Sequence, residues 1–319
     1  MIDLNDKKIL LVRNDNVGDL ICTTPAIEAL RKKYPNNQID IVVNSYNYSA
    51  IDKNPFVDKI YCYTKPKHKK GLVDKIKAAI GKLKILIDIR KERYDLVVVF
   101  RSDYSKSAEL FSNITNATYK VGVKNPRGKD NFNIHTPVDD KRHEVEFCFD
   151  CLEKFGIKYK NEKTKYYIPN NLIEKYSKYS NQIVFHISAR MTNNQMSFLK
   201  LKEIIELIDF KGIIITAEPK DFGTAKKLAE ETKALFVKTN SFIDYGGLLK
   251  NAKLLITLEG GSMHLGPAVG TKTIALFGQS KISRWYPWEY QNLVLQDKSY
   301  IAENINKDIV VSTIKREMK

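Results

Sequence analysis

An α/β fold of two Rossmann-like domains is what this sequence predicts, and three observations predict it. Short continuous apolar runs alternate with amphipathic stretches along the chain, the pattern of parallel strands buried on both faces and joined by crossover helices. At 319 residues the chain exceeds what one hydrophobic core usually serves. The stretch Leu254–Gly278, LLITLEGGSMHLGPAVGTKTIALFG, is by itself a strand, a glycine turn, a helix and a second strand. That turn lies at the carboxyl end of its strand, where open α/β sheets bind ligands.

Gly260 and Gly261 predict a sharp turn that brings amide groups close to a ligand. The helix after them offers unpaired N–H donors and a partial positive charge. A phosphate or diphosphate suits that place, although such glycine turns also occur without a ligand. His264, one turn into the helix beyond Ser262, adds a donor for the same anion; its bland alternative is packing. Gly270 closes the helix.

From the N-terminus, Lys8–Arg13 reads as a buried strand and Asn14–Asp19 as a turn. Thr24 then predicts an N-cap, with Pro25 in the first helical position of a helix ending near Tyr34. Gln38–Val43 and Asp58–Tyr63 are strands. The first turn carries Gly18 but no G-x-G-x-x-G, so a dinucleotide fingerprint is absent. Asp19, next to it, is placed to act as a general base or as a helix cap, and spacing alone favours the cap.

Lys65–Arg93 is the most basic segment. Leu72, Ile76, Ala79, Ile80, Leu83 and Ile87 recur at helical spacing, with Lys75, Lys77, Lys82 and Lys84 around them. Such a helix either lies on an anionic membrane, through the Lys65–Lys84 surface, or packs on the sheet. Tyr94–Phe100 is a buried strand that delivers Arg101 to the ligand edge if the sheet is parallel. Ser107–Phe111 reads as a helix, Tyr119–Val123 as a strand, Asn125–His135 as a loop and His143–Phe155 as a helix closed by Gly156. His143 and Glu144 lack the second His of a zinc helix, so no metal site is expected.

Asn161–Asn181 is poor in apolar residues and reads as the interdomain stretch, giving domains over 1–165 and 166–319. Tyr166–Ile168 is placed to pair with a sheet edge. The second half repeats the architecture: strands at Ile183–Ile187, Gly212–Ala217, Ala234–Val237 and Asn292–Gln296, and helices at Leu201–Ile208, Asp221–Thr232 and Asp244–Asn251. A last helix over Ile305–Met318 is free to pack back on the first domain.

The formal charge is +16, from 53 basic and 37 acidic residues, which attracts a polyanion without naming it. The four cysteines, Cys22, Cys62, Cys148 and Cys151, form neither a disulfide framework nor a zinc pattern. The N-terminal apolar core is too short for a signal peptide, and no apolar run approaches about 18 residues. A cytoplasmic protein, soluble or peripheral to the membrane's inner face, is expected.

ILLVRNDNVGDLICTTPAIEALRKKYP resembles the opening of the heptosyltransferase-like glycosyltransferases, family nine of the sequence classification. LEGGSMHLGPAVGTKTIALFG, followed by WYPW, is similar to that family's D-[ST]-G-x-x-H-L-A-x-A signature. HISAR and TAEPKDFGTAKKLAE resemble the segments between them, so the likeness spans nearly the whole chain. It implies the GT-B fold, two Rossmann-like domains facing across a cleft, acceptor-binding first and donor-binding second. It also implies inverting, metal-independent transfer of a sugar, typically heptose from ADP-heptose, to a growing lipopolysaccharide core, a phosphorylated glycolipid, with no cofactor besides the nucleotide-sugar donor.

By that resemblance Asp19 is the base that deprotonates the acceptor hydroxyl; Gly18 beside it and Arg101 at the ligand edge are the acceptor-side candidates. Gly260, Gly261, Ser262 and His264 hold the diphosphate, Asp221 meets the donor ribose, and Arg190 and Gln195 lie in the loop that usually supplies a basic residue to the phosphates. Glu259, also counted among the donor-binding residues, stands where Asp is usual and Gly260 where Thr or Ser is usual; near Gln195 the family's Lys or Arg and its Trp-Pro are replaced, with Met196 and Ser197 following. These departures open the donor to another nucleotide sugar, or the chain to binding without transfer. A nucleic-acid-binding protein is the competing class on charge alone, but no helix-turn-helix or aromatic-interleaved module accompanies it, and no nucleic-acid partner is expected.

Overall fold

The computed structural model describes residues 2–66 and 71–319. Of the basic segment that opens at Lys65, residues 67–70 lie outside the described residues. The chain divides into two compact units, one up to Thr164 and one from Lys165.

The first unit runs β1 (Lys8–Val12), α1 (Val17–Lys33), β2 (Gln38–Asn44), β3 (Lys59–Tyr63), α2 (Leu72–Glu92), β4 (Leu96–Val99), α3 (Lys106–Asn113), β5 (Tyr119–Gly122), β6 (Ile134–His135) and α4 (Glu144–Asp150). Its sheet is parallel in the order β3-β2-β1-β4-β5-β6. Successive side chains of a strand point to opposite faces. Leu10 and Val12 therefore join Ile89 and Phe111 in one cluster while Ile9 and Leu11 are buried on the other side, which is why β1 reads as an unbroken apolar run.

Three local expectations are corrected here. Helix α1 starts at Val17, so Thr24 is no N-cap and Pro25 sits inside the helix. Proline has no N–H to give the Ile21 carbonyl; the Thr24 hydroxyl donates to that carbonyl instead, at 2.7 Å, and the helix continues. The stretch from His143 is two pieces: α4, then a single turn of 3₁₀-helix over Glu153–Phe155, closed by Gly156 at φ +69°. His143 caps α4, its Nδ1 accepting from the Val145 N–H at 3.1 Å while Glu146 accepts from the His143 N–H. Tyr166–Ile168 forms no strand; the Tyr166 N–H donates to the Ala268 carbonyl at 3.0 Å.

The second unit runs α5 (Asn170–Lys175), β7 (Ile183–His186), α6 (Phe198–Ile208), β8 (Ile213–Thr216), α7 (Phe222–Thr232), β9 (Leu235–Phe236), α8 (Phe242–Asn251), β10 (Leu254–Leu258), α9 (Gly261–Ala268), β11 (Lys272–Phe277), α10 (Ile282–Trp285), β12 (Val294–Gln296) and α11 (Lys307–Met318). Its parallel order is β12-β11-β10-β7-β8-β9, the same winding as the first sheet counted from β7. Gly266 lets α9 lie on β11, since a Cβ there would fall 2.1 Å from the Thr273 hydroxyl. Gly270, at φ +86°, ends the helix as expected. Helix α11 packs against α6 of its own unit.

Candidate active site

In each sheet the winding reverses between two neighbouring strands, β1 and β4 in the first unit and β7 and β10 in the second. The loops leaving those strands diverge to opposite faces and open a crevice at their carboxyl ends, the usual ligand position.

At the first crevice stands Arg13, fully buried at the end of β1. Its Nη2 meets Asp19 Oδ1 at 2.9 Å, its Nη1 meets Glu144 Oε1 at 2.8 Å and the Phe100 carbonyl, and its Nε lies 2.9 Å from Asp15 Oδ1. Arg101, just past β4, approaches Asp15 Oδ2 at 3.4 Å. The loop is pinned through its carbonyls: Asn47 donates to Arg13, Lys65 to Asn14 and Asn44 to Asp15. Gly18 is buried in the first turn of α1, and Asp19 follows it, where a carboxylate also favours the helix dipole. Oδ1 of Asp19 is bound to Arg13, and Oδ2 has no hydrogen-bond partner among the described residues. Burial pushes the Asp15 carboxyl up to about 7 against the pull of Arg13.

Further along the same edge, beyond β4 and β5, lies a cavity of about 720 Å³. Its two best-buried acids are engaged: Glu109 accepts from the Tyr104 hydroxyl and the Asn131 N–H, and Asp130 from the Asn125 and Phe132 N–H groups and His135. Lys106, Arg127 and Lys129 on its wall have no ion-pair partner among the described residues.

The second crevice gathers the expected donor residues on the ends of three adjacent strands. Ser188, after β7, donates to Asp221 Oδ2 at 2.6 Å and accepts from the Glu218 N–H, tying the β7 loop to the β8 loop. Lys220 and Gln195 both donate to the Ala189 carbonyl, and Arg190 is exposed on the same loop. After β10, α9 begins with no side-chain cap, leaving its first-turn amides without one. His264 is 6 % exposed and meets the Trp285 ring edge-on at 6.1 Å.

One expectation changes at this turn. Gly260 is extended, with φ 167°, and a Cβ there would meet nothing within 4 Å, so glycine is not needed for the turn; its small size leaves open space before α9. Glu259 is a strut: its carboxylate accepts from the Gly278 and Ser280 N–H groups and the Ser280 hydroxyl, fixing the exit of β11. A Cβ on Gly278 would collide with the Asn193 carbonyl at 2.2 Å, so that residue packs against the β7 loop as glycine.

The residues that sequence reading passed over are Arg13, Asp15, Glu144 and Ser188. A visible signal existed for Arg13, an arginine ending an apolar strand. Among the described residues no group of three or more His, Cys, Asp or Glu side chains is placed to hold a metal ion.

Behind the second crevice His186 is buried, 3.2 Å from the Thr216 hydroxyl and against the Tyr245 ring, and burial lowers its pKa from 6.5 to about 4. The folded state holds this ring neutral while the unfolded chain accepts the proton. Its contribution is therefore present above pH 6.5 and is lost as pH falls towards 4, up to about 3 kcal/mol. The melting temperature of His186→Gln is expected to fall less steeply than that of the parent over this window. Parallel curves would remove His186 as the source.

Two Rossmann-like units, one presenting an arginine-held aspartate and the other an uncapped helix N-terminus beside a histidine, define a two-domain α/β enzyme of the glycosyltransferase class. The chain belongs to glycosyltransferase family 9 (heptosyltransferase), which matches residues 83–310. Lipopolysaccharide heptosyltransferase 3 of Escherichia coli K12 is 23% identical over 333 residues, covering 93% of this chain and 94% of its own. A family 9 glycosyl transferase from Veillonella parvula superposes with a TM-score of 0.86 at 19% identity, over 99% of this chain and 98% of that one. Heptosyltransferase WaaC of E. coli, solved with ADP-2-deoxy-2-fluoro heptose, gives 0.79 at 18%, over 97% and 99%. These likenesses bear out the expected fold class and, with the family, glycosyltransferase activity over the nucleic-acid alternative.

Proposed function

We propose that the protein is an inverting, metal-independent glycosyltransferase that moves a heptose from ADP-heptose to a lipopolysaccharide core or a related bacterial surface glycan, working on the cytoplasmic face of the membrane. The observation that carries this reading is Asp19, held through one oxygen by a buried arginine, with no partner for the other oxygen among the described residues. That second oxygen takes the proton of an acceptor hydroxyl as its oxygen attacks the anomeric carbon, and the nucleoside diphosphate departs from the opposite face with inversion. The uncapped start of α9, with Ser262, His264 and Arg190, supports the charge growing on the leaving group. No D-x-D pair occurs in the chain, the usual signature of a metal-bridged donor. Asp221, with Ser188 bound to it, is assigned to the ribose.

In this reading the first domain takes the acceptor and the second the donor. The cavity beside Lys106, Arg127 and Lys129 suits an acceptor phosphate, because its best-buried acids are engaged and these cations have no ion-pair partner among the described residues. The missing Lys or Arg near Gln195 keeps a different nucleotide sugar as the alternative donor.

A thermal-shift screen of ADP, UDP, GDP, CMP and their sugar conjugates tests this, since a ligand of the folded state raises its apparent stability. ADP and ADP-heptose are expected to stabilise most, and His264→Ala to weaken ADP by about tenfold through the loss of one charge-assisted contact. Stabilisation by another base would move the donor to that nucleotide. No shift with any of them would sink the donor assignment.

A further inference from the structure

Helix α2 is amphipathic in the opposite sense to a sheet-packed helix. It meets its domain through Ile85, Leu86 and Ile89, and of its residues only Ile89 is buried. Leu72, Val73, Ile76, Ile80, Leu83 and Ile87 are 46–74 % exposed. At 3.6 residues per turn these six fall within an arc of about 100°, a continuous apolar stripe along most of the helix and facing away from the core. A row of large apolar side chains on the outside is not the ordinary scatter of surface hydrophobics.

Charge decides what covers it. Lys77, Lys84 and Lys91 border the stripe on one side, Lys75 borders it on the other, and Arg90 lies at its C-terminal end, all exposed. Of the helix's three acids, Asp74 and Glu92 fall on the far side of the wheel and Asp88 just beyond the lysine border, and Glu92 is already paired with Lys8 and Lys59. Lysines are depleted from protein–protein interface cores, whereas apolar residues entering an acyl layer with lysines at the phosphate level are what an anionic bilayer surface accepts. The net charge of +16 adds attraction of the same sign. No helix among the described residues is long and apolar enough to cross a membrane, so α2 would lie in the surface and not span it.

We infer that α2 docks the first domain onto an anionic lipid surface, the stripe from Leu72 to Ile87 entering the acyl boundary and its lysines meeting lipid phosphates. The inference rests on the surface-glycan reading, in which a lipid-carried acceptor makes such docking useful.

Co-sedimentation of the full chain with vesicles tests it. Binding is expected to phosphatidylcholine vesicles carrying about one third phosphatidylglycerol, and only weakly to pure phosphatidylcholine. Ile80→Glu/Leu83→Glu should reduce binding at least about tenfold. Lys77→Glu/Lys84→Glu should remove the preference for anionic lipid. All four side chains are outside the core, so unchanged melting temperatures keep the comparison valid. Failure of the parent to bind overturns the inference, as does a concentration-dependent dimer that Ile80→Glu/Leu83→Glu dissolves, which would make a second copy the occupant. ADP stabilisation measured without vesicles reads the donor site alone: if it persists while lipid binding is absent, the docking inference falls and the transferase reading stands. Lipid binding without nucleotide stabilisation has the reverse meaning.

Discussion

Asp19→Asn is expected to lower the turnover of sugar transfer by about a thousandfold, the loss of a general base, while leaving ADP affinity and melting temperature nearly unchanged. The amide keeps an oxygen for the Arg13 Nη2 that now lies 2.9 Å from Oδ1, so the clamp is retained and basicity is lost. Asp15 is the internal competitor, close by and pushed up to about 7 by burial. Both its oxygens face arginines, however, Arg13 at 2.9 Å and Arg101 at 3.4 Å, whereas one oxygen of Asp19 has no partner among the described residues. Turnover measured with saturating donor and a purified glycan acceptor separates the two. If Asp19→Asn stays within about tenfold of the parent while Asp15→Asn is dead, the base is Asp15. In that case activity of the parent should also rise through pH 7.

The strands and their order of chemistry were legible because parallel strands buried on both faces leave long apolar runs, and the turns after β1 and β10 carry their acids and glycines in the open. What could not be read lies in contacts remote along the chain. Arg13 finds Phe100 87 positions away and Glu144 131 positions away, so nothing near it announces a buried clamp. Pro25 misled as a helix start because its lost hydrogen bond is replaced by the neighbouring Thr24 hydroxyl, a compensation that a proline rule omits. Helix α2 was ambiguous for a different reason. Periodicity gives a stripe but not which side the sheet is on, and the inward row turned out to be Ile85, Leu86 and Ile89. Glu259 sits within the signature, but its bonds to Gly278 and Ser280, about twenty positions on, could not be read from it.

Arg13 carries the largest expected stability effect. It is fully buried with Glu144, itself without exposure, and it also meets Asp15 and Asp19. Two opposite charges removed from water together gain little over an apolar pair, but removing one partner strands the other. Arg13→Met should therefore cost about 3–5 kcal/mol, a fall in melting temperature on the order of 10 °C. Arg13→Met/Glu144→Leu should recover part of that loss, because Glu144, the acid without exposure, is then no longer stranded opposite the missing guanidinium, while Asp15 keeps Arg101. Urea melts of the four proteins in this cycle give the coupling directly. The double variant nonetheless should transfer sugar slowly, since Asp19 has lost the donor that orients its carboxylate, while ADP still stabilises the second domain. A single variant that melts with the parent would mean that the loop is held by Asn47, Lys65 and Asn44 without the arginine, and Asp19 would then owe its position to the first turn of α1 alone.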